Sequence, residues 1–192
     1  MKARSAVLII APLPPPVTGS SLASRLILKH LGQNADVIAF SYSKHNLHNN
    51  VFSVDQALRI LKIGLKIVFL RFIRMRFDAV YFVVSCTFWG NIRDLLLLAL
   101  LGKNLRKKLT IHRHGSDFGD CLKTFPKIIQ SLNIYLLADV KAAVVLGKSL
   151  ANIFDGYLPA HKVHIVVNSY SPDLLISEDA LILGIKSKER VR

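Results

Sequence analysis

Residues 110–118 read Thr-Ile-His-Arg-His-Gly-Ser-Asp-Phe and hold the densest chemistry in the chain: two histidines, a glycine and a carboxylate behind an apolar lead-in. Histidine changes charge near neutral pH, so His112 and His114 are candidates for acid–base work, for hydrogen bonding to a substrate, or for metal ligation. Two residues apart on a strand, they share a face. With Asp117 and Asp120 close behind, a His-x-His pair has the donor types of a zinc site. The plain alternative is a structural histidine bonded to the backbone. A second unusual stretch, residues 11–20, reads Ala-Pro-Leu-Pro-Pro-Pro-Val-Thr-Gly-Ser. Its prolines stiffen a turn. Gly19 lets backbone approach a ligand, and a following helix with Ser20 at its start offers free N–H groups and a positive dipole end to a phosphate. Three spaced glycines of the dinucleotide type are absent. Phe88 and Trp89 follow a third apolar run and are candidates for an acceptor pocket, against the commoner reading of buried aromatics.

Those loops need a frame that brings them to one edge. Apolar runs rich in Val, Ile and Leu at 6–11, 36–40, 79–84, 109–112, 142–146 and 163–167 read as strands. Between them, residues 20–31, 54–76, 91–101, 126–137 and 149–154 carry helical patterns. Ser20 or Ser21 is placed to cap the first helix, and Gly102 to close the one at 91–101. Alternating strands and helices predict an α/β fold, a doubly wound, mostly parallel, Rossmann-like sheet with helices on both faces. In such sheets ligands sit at the carboxyl ends of the strands, where both unusual loops would emerge. Residues 1–172 form the predicted domain. Residues 173–192 read as a linker or the start of a further, missing domain.

Length and composition narrow the classes. The chain has 192 residues, 52% of them hydrophobic, and a formal charge of +14. That charge suits anionic partners: lipid, nucleic acid or phosphorylated small molecules. No aromatic stacking platform is interleaved with the basic cluster Lys103, Arg106, Lys107 and Lys108, so nucleic acid is not expected. That cluster reads as a solvated loop. The basic helix at 59–76 either lies on an anionic membrane or is an ordinary domain helix with a solvated basic edge. The longest charge-free apolar run is far shorter than the roughly 18–20 residues of a membrane span. Residues 1–11 lack a cleavage pattern, so export is not expected. Cys86 and Cys121, the only cysteines, read as reduced thiols. No Gly-x-Ser-x-Gly, Cys-x-x-Cys or P-loop motif occurs, which argues against a serine hydrolase, a redox pair and an NTPase.

Taken in order, residues 14–20, residues 109–118 and the pair of segments 144–150 and 162–168 resemble the N-terminal, acceptor-side domain of a family 4 glycosyltransferase of the two-Rossmann-domain GT-B type. The resemblance implies half of a GT-B fold and a retaining transfer of a sugar from a nucleotide-sugar to a glycan or lipid-linked acceptor. It implies that His114 sits at the transfer centre, that Gly19 approaches the donor's diphosphate, and that Asn168 lies near the hinge to a second domain; Ser20 beside Gly19 is expected to bind the donor phosphate, and Trp89 and Asp117 the acceptor. It also implies no cofactor and no metal, with the nucleotide-sugar as a substrate, at the cytoplasmic face of a membrane. The family's paired glycines are here Gly19 alone, and its Pro-Asn-Gly ending is Val167-Asn168-Ser169. Such a domain would be inactive without its second half. Two other classes stay open: a non-catalytic basic module docking on a membrane or protein, and a metal-dependent hydrolase at His112, His114 and Asp117.

Overall fold

The computed structural model describes residues 4–42 and 54–167. Six strands form one sheet: β1 (Ser5–Ala11), β2 (Ala35–Ser41), β3 (Ala79–Val83), β4 (Leu109–His112), β5 (Ala142–Val145) and β6 (Val163–Ile165). Their order is β2-β1-β3-β4-β5-β6, and every pairing is parallel. The predicted α/β fold with a Rossmann-like, helix-flanked parallel sheet is therefore what the chain adopts. The central strands are apolar in nearly every position because both of their faces are covered.

The helices are α1 (Gly19–Asn34), α2 (Val54–Phe72), α3 (Phe88–Arg106), α4 (Phe118–Lys123) and α5 (Lys127–Leu137), with a 3-10 segment at Lys148–Phe154. Alternation along β1 divides the core. Val7, Ile9 and Ala11 pack with Tyr81, Val83 and the Ile27, Leu28 and Leu31 side chains of α1. Leu8 and Ile10 pack with α2, α3, α5 and the 3-10 segment through Ile63, Ile67, Leu97, Leu98, Leu136 and Phe154. The path from β1 to β2 thus runs over one face. The path from β2 to β3 passes over β1 on the other. The chain reverses direction there, and the crevice between the carboxyl ends of β1 and β3 is the sheet's topological switch point.

Several local expectations are corrected. Thr18, not Ser20 or Ser21, caps α1: its hydroxyl accepts from the Ser21 amide at 3.1 Å, and Ser21 Oγ accepts from the Thr18 amide at 2.8 Å. Such a reciprocal box satisfies two donors at once. Helix α3 begins three residues earlier than the apolar pattern suggests, because Thr87 Oγ1 accepts from the Gly90 amide at 3.2 Å. Gly102 (φ 69°) kinks α3 instead of closing it, a backbone conformation costly for other residues. The basic cluster after it is only partly solvated. Arg106 is buried, donating to the Leu98 carbonyl at 3.0 Å and pairing with Asp139 at 2.9 Å. Lys108 donates to the Phe77 carbonyl at 2.7 Å. The six-residue helix α4 is too short to show a period in sequence.

Helix α2 is amphipathic twice over. Ile63, Gly64 and Ile67 face the core. Val54, Leu58, Leu61, Leu65, Phe69 and Phe72 recur at three- and four-residue intervals and are exposed, Phe72 by 83%. Spacing of that kind makes one continuous stripe. Lys62 and Lys66 are exposed beside it, while Arg71 donates to the Leu100 carbonyl at 2.7 Å. No described helix is long and apolar enough to cross a membrane.

Candidate functional site

Both unusual loops leave the carboxyl edge of the sheet. Residues 12–18 link β1 to α1, and residues 113–117 link β4 to α4, with β3 lying between the two strands. At the first loop, a Cβ built on Gly19 would meet nothing within 4 Å, so the backbone there is open to an approaching group. Ser20 Oγ lies 3.2 Å from Thr18 Oγ1, beside the cap and not part of it. The Ser21 and Leu22 amides are already bonded to Thr18, which leaves the Gly19 and Ser20 amides at the tip of α1.

At the second loop, period-2 alternation sends Ile111 into the larger core and His112 to the face of Tyr81. His112 Nδ1 and the Tyr81 hydroxyl share a 2.6 Å hydrogen bond. The His114 ring lies against His112 with centroids 4.0 Å apart. Burial pushes His112 down to about 3, with His114 adding to it, and burial pushes His114 down to about 4, with Arg113 adding to it. Both rings are therefore neutral at pH 7, and each has a buried Nε2 with no protein partner. A neutral imidazole donates or accepts a hydrogen bond but brings no positive charge. The buried His114 Nε2 is thus free to donate or accept one further hydrogen bond.

Arg113 points the other way. It donates to Asp117 Oδ1 at 2.7 Å and to Cys86 Sγ at 2.9 Å. This hydrogen bond is the main cause that holds the Asp117 carboxyl down at about 2. Gly115 does not turn through the left-handed region; a Cβ there would sit 2.5 Å from the Arg113 guanidinium, so its value is space for that side chain. Burial pushes the Cys86 thiol up to about 12. Among the described residues the His, Cys, Asp and Glu donor atoms that converge are those of Cys86, Asp117 and Cys121, all within 4.8 Å of one another. His112 and His114 are not in that group, so the sequence-based hydrolase grouping with Asp117 is not assembled.

Trp89 belongs to the first turn of α3. It is 54% exposed and stacks edge-on with Phe88, centroids 5.4 Å apart. Phe88 in turn meets Phe125. Trp89 and Asp117 come from different loops of the same edge, β3–α3 and β4–α4. Asn168 lies outside the described residues. Beside this edge, α4 and the 3-10 segment enclose a cleft of about 340 Å³ lined by Ser116, Gly119, Asp120, Lys123, Ser149, Asn152 and Asp155. Gly119 is needed there because a Cβ would come 2.9 Å from the Ile153 carbonyl. Hydroxyl, amide and charged groups of this kind suit a hydroxyl-rich ligand.

Sequence reasoning missed Arg93 and Asp94. Asp94 is buried and accepts from the Ser85 amide at 2.6 Å and from Arg93 at 2.7 Å. Arg93 stacks over the Tyr42 ring at 3.6 Å, and the Tyr42 hydroxyl donates to the Val83 carbonyl at 2.5 Å. These contacts tie the ends of β2 and β3 to α3 beneath the switch point. Burial lifts Asp94 to about 6. Nothing in an Arg-Asp dipeptide signals burial; a helix that is apolar on every other side was the available hint. No family model and no curated protein sequence matches the chain.

Proposed function

We propose that this chain is the acceptor-side domain of a retaining glycosyltransferase, moving a sugar from a nucleotide-sugar to a glycan or lipid-linked acceptor. One observation carries the reading: the phosphate-suited loop at Gly19 and Ser20 and the partnerless, neutral His114 Nε2 emerge from the same edge around the switch point. The Gly19 and Ser20 amides and the α1 dipole suit a departing diphosphate. His114 serves as a hydrogen-bonding group to the donor sugar, and its neutrality suits a role that needs no titration. Trp89 and Asp117 flank the acceptor, with the polar cleft at α4 as a further place for its hydroxyls. Catalysis would rest on electrostatic stabilisation and positioning. In this reading the nucleotide is gripped by a second domain of the kind that the resemblance implies. In a protein carrying both domains, His114→Ala lowers turnover by about 2–4 kcal/mol of transition-state stabilisation, read as nucleoside diphosphate released from a panel of nucleotide-sugars. Unchanged turnover with an intact circular dichroism spectrum would make His114 structural.

A second observation favours docking on an anionic membrane. The exposed α2 stripe carries large apolar side chains next to Lys62 and Lys66 on a chain of charge +14. An amphipathic helix of that composition lies in the bilayer interface. Each basic residue near the anionic surface contributes about 1 kcal/mol. The two readings are compatible, since a lipid-linked acceptor resides at such a surface at the cytoplasmic face. Co-sedimentation with phosphatidylserine-containing vesicles should fall in 1 M salt, where screening shortens to about 3 Å. Equal binding to neutral and anionic vesicles, or to neither, removes the anionic surface from the account and leaves the basic edge of α2 a solvated one.

A further inference from the structure

We propose that Cys86, Asp117 and Cys121 form a binding site for a thiophilic divalent cation, zinc fitting best, with a fourth position open to water. The site does not depend on the sugar-transfer reading. Cys86 and Cys121 are 35 residues apart and come together through strand pairing. Val83 of β3 lies in register with His112 of β4, so the loop after β3 runs beside the start of α4. Asp117 and Cys121 are four residues apart at that start and share its face. Asp117 Oδ2 lies 3.4 Å from Cys86 Sγ and 3.5 Å from Cys121 Sγ. With Zn–S near 2.3 Å and Zn–O near 2.0–2.2 Å, the sulfur–oxygen edge of a tetrahedral site is about 3.5 Å. Both sulfur–oxygen separations thus already match those that a bound ion imposes, and the two sulfurs lie within 4.8 Å of each other.

Arg113 completes the electrostatics. It holds Asp117 by Oδ1 and leaves Oδ2 turned to the thiols, and it also donates to Cys86 Sγ. Contacts of this kind orient ligands around a metal. On binding, both thiols lose their protons to solvent and the cation takes their place. Two thiolates and one carboxylate are then balanced by the cation and the guanidinium together. Both cysteines are half-buried and Asp117 is exposed, which gives an ion a way in. Two sulfur donors select zinc, cadmium or cobalt over magnesium and calcium.

Cobalt(II) titration of the purified chain in a phosphine reductant tests the site. One equivalent should produce a thiolate-to-cobalt charge-transfer band and intense tetrahedral d–d bands, both bleached by zinc. Cys86→Ser and Cys121→Ser should each weaken cobalt binding at least tenfold and diminish the charge-transfer band. Asp117→Asn should weaken binding with the sulfur band retained at saturation, and Asp120→Asn should change nothing. If a serine variant loses its circular dichroism, alkylating both thiols of the wild-type protein gives the same readout. The site is overturned by the absence of a charge-transfer band at one equivalent, by a band that survives in both folded serine variants or after alkylation, or by a Cys86–Cys121 disulfide that persists in the reductant.

Discussion

Among the described residues, twenty-five buried hydrophobic side chains pack on one face of the sheet among α2, α3, α4, α5 and the 3-10 segment; on the other face six pack under α1. The strands of the crowded face are apolar, and its buried polar groups, Asn91, Asp94, Arg106 and Asn133, all belong to α3 and α5. The sparse face holds Tyr81, His112 and, alongside, His114. The difference separates scaffold from chemistry. On the crowded side the buried polar groups sit in the helices and each has a protein partner, whereas on the sparse side two imidazole nitrogens are left without one, next to the strand ends.

The largest test of that contrast compares neighbours on β3. Phe82 is fully buried in the larger core, and Phe82→Ala should cost about 3–5 kcal/mol in urea unfolding. Val83 turns to the other face, and Val83→Ala should cost only about 1–2 kcal/mol, at roughly 0.8 per buried carbon. Equal losses would erase the distinction. Next comes the polar joint within the crowded side. Asn91 and Asn133 exchange reciprocal amide bonds of 2.9 and 3.0 Å between α3 and α5. Asn133→Ala strands the Asn91 amide in the interior and should cost about 1–3 kcal/mol. Adding Asn91→Ala should cost less than its own single substitution, because the partner is already gone.

Acid probes the sparse face. His112 and His114 ionise at about 3 and 4 in the folded chain against an ordinary 6.5, so the unfolded chain takes up protons first. Their contribution to stability is intact above pH 6.5 and is lost as pH falls from there through those values. Asp94 has the opposite sign. Its folded value is raised from 3.8 to about 6, so its contribution is full below 3.8 and is lost as pH rises through 6. Unfolding free energies measured from pH 7 to 4 should therefore decline, more gently in His114→Gln and more steeply in Asp94→Asn. A flat profile in the wild-type chain would mean that the two rings are solvated. The smallest effect belongs to the outer stripe of α2. Leu65→Ser and Phe72→Ser should change stability by no more than about 0.5 kcal/mol, whereas Ile67→Ala on the inner side should cost about 2–5 kcal/mol.

The sheet was legible because a strand covered on both faces shows as an apolar run, and each of the six runs became a strand. The two ligand-facing loops were legible because proline, glycine and histidine break such runs. Other features had no local signal. A list of apolar residues in α2 does not say that they divide into a covered and an uncovered side; only the position of the sheet decides that. Arg93 and Asp94 look like surface residues until α3 is packed. Cys86 and Cys121 meet only through the register of β3 with β4. The Thr18 cap was missed because three adjacent hydroxyl residues compete for the role, and backbone geometry chooses among them.

The placement of β1 in the sheet sets a schedule for the chain as it is made. Val7 pairs with Val37 on one side but with Ala79 on the other, 72 residues further on. At about 5–20 residues per second, β1 leaves the ribosome roughly 4–14 seconds before its second partner. During that interval it has only β2 as a neighbour, and a row of its amides and carbonyls faces outward like the edge of an unfinished sheet. Val7, Leu8, Ile9 and Ile10 make that edge adhesive to other chains. The cell must shelter it, or the nascent chain must cover it transiently, until Ala79–Val83 arrives.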